Sequence, residues 1–277
     1  MTAGGSEARS SRTLRQAQGD GALAGRHALV TGGGRGIGAA IATALAAEGA
    51  RITLLGRNRA ALAQHAFTLP ESAEAHIVVA DVADGAAVAE AFVHARTRHG
   101  DPEILVNNAG VAIGTPFTKL DEAAWNAVIA VNLNGTFHCT REVVPAMLAA
   151  GYGRIVNVAS TAGLVGGKYI AAYTAAKHAV VGLTRALAAE LGPKGVTVNA
   201  VCPGFTESEM LERTLSGIET ATGRTREGAA AALLARNPIG RFVRAEEVAS
   251  AVVWLCRADS AAINGQAIVI DGGEVQH

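Results

Sequence analysis

Short apolar runs alternate with alanine-rich stretches along most of the chain. From residue 27 onward, seven runs carry apolar side chains at nearly every position: HALVT, RITLLG, AHIVVAD, EILVNNAG, GRIVNVAS, VTVNAVCPG and QAIVIDGG. Strands without polar alternation are buried on both faces, as in a parallel sheet that helices cover. The pattern therefore predicts the α/β class: one domain built on a doubly wound parallel sheet with helices on both faces.

Two regions depart from this alternation. Residues 1–24 are rich in Gly, Ser, Gln and Arg and show no apolar period, which favours a flexible N-terminal tail. A transit peptide is the alternative, and Glu7, Asp20 and the glycines weigh against it. Residues 205–240 form a long excursion between two predicted strands, which indicates a substrate lid within a domain of residues 25–277.

The composition of the chain limits the kinds of partner that the protein is expected to bind. The 277 residues are 49% hydrophobic, enough for one full core, and the 24 Lys plus Arg balance the 24 Asp plus Glu. Three cysteines are too few and too scattered for a disulfide framework, and no Cys/His group has metal-ligand spacing. No run reaches the roughly 18 apolar residues of a membrane span. We therefore expect no nucleic acid, membrane or metal partner, and a cytoplasmic location.

A glycine-rich stretch, TGGGRGIG, lies between the first predicted strand and the first predicted helix. Backbone N–H groups and the helix N-terminus are free at such a turn, and glycine lets a pyrophosphate approach them. A flexible loop is the alternative, but the strand-to-helix context favours nucleotide binding. The spacing of Gly32, Gly36 and Gly38 resembles that of the short-chain dehydrogenase/reductase family, T-G-x-x-x-G followed by Ile or Leu and then Gly.

Further motifs extend the resemblance from about residue 25 to the IDGG stretch at residues 270–273. Asp81 and Val82 follow the third strand, NNAG follows the fourth, and YTAAK contains a Y-x-x-x-K motif. The resemblance implies a Rossmann-type fold and a nicotinamide cofactor. Spacing adds a physical argument: Tyr173 and Lys177 share one helix face, so we expect the lysine ammonium to favour the phenolate and lower the pKa of the tyrosine.

The resemblance also implies four catalytic residues, Asn132, Ser160, Tyr173 and Lys177. Ser160 would polarise a substrate carbonyl, Tyr173 would protonate it, and Asn132 would anchor a water in a proton relay. For Asn132, helix capping or simple burial is the alternative. Tyr169 lacks a lysine four residues later and is expected to line the substrate pocket.

The resemblance implies cofactor-binding residues in the glycine turn, after the second, third and fourth strands, in YTAAK and in PGFTES. They are Gly32, Arg35, Gly36, Ile37, Gly38, Arg57, Asp81, Val82, Asn108, Ala109, Gly110, Tyr173, Lys177, Pro203, Gly204 and Ser208. Ser208 replaces the family's threonine, whose hydroxyl holds the nicotinamide carboxamide, and Thr206 is a nearby competitor for that role.

The second strand indicates which nucleotide binds. NAD-preferring enzymes carry an acidic residue at its end, whereas this chain has Gly56 followed by Arg57. Arg35 and Arg57 occupy the two basic positions that hold the 2′-phosphate in NADP-preferring members of the family. We therefore expect NADP(H), with a solvated loop charge as the alternative for Arg57.

These features predict an NADP(H)-dependent reductase that interconverts a ketone and a secondary alcohol. VNAVCPGF and ARNPIGRFV resemble stretches of 3-oxoacyl thioester reductases and polyketide ketoreductases, which favours a 3-oxoacyl group on CoA or carrier protein. The alternatives are a small cyclic, sugar or steroid alcohol, a non-catalytic nucleotide-binding protein, and a lyase or epimerase. The family resemblance also favours a homo-oligomer, a tetramer over a dimer.

Overall fold

The computed structural model describes residues 21–276, and within them seven strands form one sheet. The strands are β1 (His27–Thr31), β2 (Arg51–Gly56), β3 (His76–Val79), β4 (Ile104–Asn107), β5 (Gly153–Val158), β6 (Val196–Pro203) and β7 (Ala267–Ile270). Their order is β3-β2-β1-β4-β5-β6-β7, and every neighbouring pair is parallel. Each strand lies inside one predicted apolar run, so the predicted parallel sheet is confirmed.

Nine α-helices occupy the described residues between and after the strands. They are α1 (Gly36–Ala47), α2 (Arg59–Thr68), α3 (Gly85–His99), α4 (Glu122–Ile129), α5 (Gly135–Ala150), α6 (Ala171–Leu191), α7 (Glu209–Thr222), α8 (Arg226–Leu234) and α9 (Ala245–Cys256). A π-helical segment, Ala130–Asn134, joins α4 to α5. Within residues 21–276 no helix combines the length and the apolar character that a membrane crossing needs.

Apolar side chains project from both faces of the sheet, because successive strand residues point to opposite sides. Val30 belongs to one core that includes Ile41 of α1 and residues of α9. Its neighbour Leu29 belongs to a second core that includes Phe92 of α3 and residues of α5. All of the named side chains are fully buried. The predicted arrangement of helices on both faces is thus confirmed.

The chain reverses its path across the sheet between β1 and β4. β1 pairs with β2 on one side and with β4 on the other, so the loops after these two strands diverge. Open α/β sheets bind ligands in the crevice that such a divergence leaves at the carboxyl ends of the strands. Gly32 follows β1 there, and Asn108 follows β4.

The predicted excursion of residues 205–240 contains helices α7 and α8. Leu211 and Leu215 of α7 pack with Ala229 of α8 in a small core of their own. Thr206 joins the start of the excursion to Val243 through an isolated parallel bridge. The excursion is therefore a packed helical pair, and its movement as a lid stays a prediction.

The first 20 residues of the predicted tail lie outside the described residues. The remainder of the predicted tail, residues 21–24, is part of the folded domain. Leu23 is only 1% exposed and belongs to the core shared with α1, and its N–H donates to the carbonyl of Glu48 at 2.9 Å. The predicted boundary at residue 25 was wrong at this point, because one buried leucine in a polar stretch produces no apolar period.

Candidate active site

The glycine turn connects β1 to α1 and leaves the first turn of that helix uncapped. Gly32 and Gly36 have φ values of 67° and 56°, in the left-handed region that favours glycine. Arg35 is the N-cap residue, but its side chain makes no capping hydrogen bond, and the first turn holds no acidic residue. The backbone N–H groups that begin α1, including those of Ile37 and Gly38, can therefore serve an anionic ligand.

The glycine turn is also packed tightly against the segment after β4. A Cβ at Gly32 would lie 2.8 Å from Nδ2 of Asn108, and a Cβ at Gly38 would clash with the carbonyl oxygen of Gly32. Asn108 Nδ2 donates to the carbonyl of Thr31 at 2.9 Å. The Thr31 hydroxyl accepts the N–H groups of Asn108 and Ala109 at 2.9 and 3.0 Å. The structure thus brings two predicted cofactor motifs together, and Thr31 joins them.

Lys177 and Asn132 meet beneath Gly110. Both side chains are buried, and Lys177 Nζ donates to the carbonyl of Val158 at 2.7 Å. Asn132 Nδ2 donates to the carbonyls of Val111 and Val128 at 2.8 and 2.9 Å. A Cβ at Gly110 would lie 2.8 Å from Asn132 Oδ1 and 3.7 Å from Lys177 Nζ. Glycine is required here because any side chain would fill the space above both polar atoms.

The π-helical segment between α4 and α5 positions Asn132. This segment places its side chain against the loop after β4, and its Oδ1 atom has no hydrogen-bond partner among the described residues. A buried oxygen without a partner is costly and fits a bound water or ligand group. Capping of a helix N-terminus is not its role, since Oδ1, the acceptor that such a cap would use, receives no backbone N–H.

Tyr173 and Ser160 lie beside this lysine. The Lys177 Nζ atom is 5.6 Å from the centroid of the Tyr173 ring. Ser160 follows β5 and begins a short 3₁₀ helix, where its hydroxyl accepts the N–H of Ala162 at 3.1 Å. A hydrogen bond with Ser160 also acts to lower the pKa of the Tyr173 phenol.

The expected lowering of the pKa of Tyr173 is nevertheless wrong for this structure. Burial outweighs the Ser160 hydrogen bond and raises the pKa of Tyr173 to about 12. Burial likewise lowers the pKa of Lys177 to about 8, because an ammonium loses its hydration there. The helical spacing correctly predicted that the two side chains are neighbours, but the desolvation of both groups depends on packing that spacing does not describe.

The two arginines expected at a 2′-phosphate each form an ion pair with a carboxylate. Arg35 Nη1 donates to both oxygens of Glu209, at 2.8 and 2.7 Å. Arg57 Nη1 lies 3.4 Å from Oδ2 of Asp81, and both side chains are more than one-third exposed. The sequence analysis named Asp81 as a cofactor-binding residue but did not name Glu209, which lies 174 residues from Arg35.

The segment after β6 places Pro203, Gly204 and Ser208 along one side of the crevice. Pro203 ends β6, and a Cβ at Gly204 would lie 2.9 Å from the Asp271 side chain. The Ser208 hydroxyl donates to the carbonyl of Thr206 at 3.0 Å and caps α7 by accepting the N–H of Leu211. Thr206 is the more buried residue, and its hydroxyl donates to the carbonyl of Gly204 at 3.0 Å. Both hydroxyls are thus bonded within this segment, and the assignment of Ser208 over Thr206 stays a prediction.

Val82 and Tyr169 are the remaining predicted residues. Val82 is buried, with its side chain against Gly135 and its carbonyl bonded to His138 Nδ1 at 2.9 Å. Tyr169 is 64% exposed, as a residue lining an open pocket can be. A third tyrosine, Tyr152, directly precedes β5 at the amino end of that strand. The guanidinium groups of Arg26 and Arg154 lie over its ring.

A buried amide network beneath the site escaped the sequence analysis. Asn107 Nδ2 donates to the hydroxyl of Thr140 at 3.0 Å and to Oδ1 of Asn157 at 2.9 Å. Asn157 Nδ2 donates in turn to Thr184 at 2.9 Å. The network joins β4 and β5 to α5 and α6, the helix that carries Tyr173. Asparagines inside otherwise apolar strands were the available signal, because a buried amide needs partners.

Comparison with known proteins agrees with this geometry. The family described as short chain dehydrogenase matches residues 26–239, and the chain belongs to that family. Ketoacyl reductase 1 of the granaticin polyketide synthase of Streptomyces violaceoruber is 43% identical over 249 residues, 89% of this chain and 92% of that protein. The 2-(S)-hydroxypropyl-CoM dehydrogenase 3 of Xanthobacter autotrophicus is 41% identical over 245 residues, 88% and 94% of the two chains.

A solved structure extends the similarity to three dimensions. The crystal structure of a variant of actinorhodin polyketide ketoreductase with NADPH superposes with a TM-score of 0.88 at 38% identity. The match covers 91% of this chain and 98% of that one. This chain is therefore an oxidoreductase of the short-chain dehydrogenase family that acts on a ketone and alcohol pair through a nicotinamide cofactor.

Proposed function

We propose that the protein is an NADP(H)-dependent ketoreductase whose substrate is a 3-oxoacyl thioester of CoA or carrier protein. The observation that carries the proposal is the grouping of Ser160, Tyr173 and Lys177 next to Gly110, in the segment after β4 that also packs against the glycine turn. The ketoacyl reductase among the relatives supports the substrate class. The NADPH in the matched crystal structure supports the cofactor.

The chain's residues fit a dinucleotide. The uncapped first turn of α1 would hold the pyrophosphate, and Asn108, Ala109 and Gly110 would line the nicotinamide side. Asp81 and Val82 would lie at the adenine, with Arg35 and Arg57 at the 2′-phosphate. When bound, NADPH supplies the hydride that reduces the carbonyl carbon.

The protein's own groups handle the carbonyl oxygen. Ser160 donates a hydrogen bond to that oxygen and fixes its position, and the Tyr173 phenol transfers its proton to the alkoxide that develops. A pKa of about 12 keeps Tyr173 protonated at neutral pH, as a proton donor for reduction must be. The ammonium form of Lys177 stabilises the phenolate left behind and then gives it a proton, and the water anchored at Asn132 Oδ1 returns a proton to Lys177.

We also propose that the protein is a homo-oligomer, with a tetramer favoured over a dimer. Large apolar side chains on two helices support this assembly, since Phe137 of α5 is 48% exposed and Trp254 of α9 is 42% exposed. Contact with another subunit would remove these side chains from water.

A substrate panel tests the proposed function directly. NADPH consumption is followed by absorbance with acetoacetyl-CoA, a cyclic ketone and a steroid ketone. We expect the thioester to give the highest kcat/KM. Faster reduction of the cyclic or steroid ketone would move the substrate to that class, and tight NADPH binding without turnover of any ketone would contradict a catalytic role.

A further inference from the structure

Arg35 and Glu209 form an ion pair that joins the glycine turn to the helical excursion. Arg35 belongs to the glycine turn, and Glu209 is the first residue of α7, at the start of the helical excursion. One guanidinium nitrogen contacts both carboxylate oxygens, at 2.8 and 2.7 Å. The start of α7 also approaches the turn itself, since a Cβ at Gly36 would lie 3.6 Å from the Ser208 Cβ.

Glu209 has a second partner that stays on its own helix. Arg213, one helical turn later, lies 3.3 Å from the same carboxylate and is 75% exposed. If Arg35 were drawn to another anion, Glu209 would keep this neighbouring positive charge. The exchange would therefore leave no carboxylate without a counter-charge, and its energetic cost would be small.

We infer that Glu209 is a specificity-determining residue that competes with the 2′-phosphate of NADP(H) for Arg35. This inference rests on the proposed use of NADP(H). With no phosphate present, the carboxylate of Glu209 holds Arg35 and fastens α7 to the glycine turn. A 2′-phosphate carries more charge than a carboxylate and takes the guanidinium, while Glu209 stays with Arg213. NAD(H) has no such group and leaves the Arg35–Glu209 pair intact.

The competition predicts an effect on one cofactor only. Removing the charge of Glu209 frees Arg35 before NADPH binds, so NADPH no longer has to displace a carboxylate. Exposed ion pairs are weak, so we expect Glu209→Gln to lower the Kd of NADPH by about two- to fivefold. The Kd of NADH should stay the same, because its binding does not break the pair.

The chain offers a matched control on the same helix. Glu212 also belongs to α7 and forms an ion pair, but with Arg226 of α8 rather than with the glycine turn. Glu212→Gln removes one negative charge from the same region and should leave the Kd of both cofactors unchanged. A gain in NADPH affinity equal to that of Glu209→Gln would show a general effect of charge and overturn the competition.

The experiment measures the Kd of NADPH and of NADH by cofactor fluorescence for the wild type, both glutamine variants, Arg35→Ala, and Arg35→Ala combined with Glu209→Gln. We expect the effect of Glu209→Gln to disappear in the Arg35→Ala background. If Arg35→Ala weakens NADPH but Glu209→Gln changes nothing, the competition is wrong and the cofactor assignment stands. If Arg35→Ala leaves the Kd of NADPH unchanged, Arg35 does not hold the 2′-phosphate. The competition by Glu209 and the assignment of Arg35 to the phosphate site are then both wrong.

Discussion

Titratable side chains are buried at both ends of the strands, but in different surroundings. We call the side of the sheet with the carboxyl ends of the strands the carboxyl edge, and the opposite side the amino edge. At the carboxyl edge, Tyr173 and Lys177 lie close to the segment after β4, which packs against the turn between β1 and α1. At the amino edge, His27 begins β1 and is fully buried, and its ring contacts His99 edge-on with 5.1 Å between the centroids. His76, at the start of β3, lies 6.2 Å from His99 in the same manner.

Both ring nitrogens of His27 have hydrogen-bond partners within the fold. His27 Nδ1 lies 2.8 Å from the carbonyl of Gly100, and Nε2 lies 2.8 Å from the Thr53 hydroxyl. Backbone hydrogen bonds close the surrounding loops, such as the bond from the N–H of Glu103 to the carbonyl of His27 at 2.9 Å. Burial lowers the pKa of all three histidines, and that of His27 to about 4.

Burial therefore shifts pKa values at both edges, and a shifted pKa does not by itself identify an active site. The carboxyl edge differs because it adds an uncapped helix N-terminus and two exposed arginines at the point where the chain reverses across the sheet. We expect substitutions at the carboxyl edge to change binding and turnover. Substitutions at the amino edge should change stability alone.

Acidification gives the largest expected effect at the amino edge. The folded-state pKa of His27 is about 4, against 6.5 for the free side chain. The unfolded chain therefore binds this proton first, and the free energy of unfolding decreases as the pH falls below about 6.5. At 1.36 kcal/mol per pKa unit, His27 alone should cost about 3 kcal/mol by pH 4. Urea unfolding at pH values between 7 and 4 measures this loss.

A variant isolates the contribution of His27. His27→Gln keeps a polar side chain but cannot titrate, so its stability should depend less steeply on pH than that of the wild type. His178→Gln, at an exposed position of α6, should keep the wild-type slope. Equal slopes for all three proteins would mean that His27 does not carry the acid sensitivity, and a loss of kcat in His27→Gln at pH 7 would break the division between the two edges.

The smaller effect concerns the cofactor at the carboxyl edge. Charge-assisted hydrogen bonds contribute roughly 1.5 to 3 kcal/mol, so Arg57→Ala should weaken NADPH by about ten- to a hundredfold with little change for NADH. Adding Gly56→Asp should reverse the preference, because the carboxylate accepts from a ribose hydroxyl and repels a phosphate. The measurement is kcat/KM for both cofactors with one ketone.

A control arginine sharpens that test. Arg141 is exposed on α5, and Arg141→Ala should leave both cofactors unchanged. Equal weakening of NADPH and NADH by Arg57→Ala would remove Arg57 from a 2′-phosphate site. A wild type that already prefers NADH would contradict the assignment of NADP(H).

The sequence was sufficient to predict the sheet, because strands buried on both faces are apolar at nearly every position. It was also sufficient to place the glycine turn, Tyr173 and Lys177, whose spacing reflects local geometry. Contacts between distant segments leave no such pattern. The Arg35–Glu209 pair joins exposed residues 174 positions apart, and the pKa of Tyr173 depends on how completely its surroundings exclude water.

The most direct test of a catalytic carboxyl edge compares NADPH oxidation by the wild type and by Tyr173→Phe with acetoacetyl-CoA, at matched NADPH occupancy set by fluorescence titration. The variant loses only the hydroxyl, so NADPH affinity should change little while kcat falls on the order of a hundredfold or more. Near wild-type turnover by Tyr173→Phe, with the cofactor bound, would contradict the account, because the proton would then come from another group.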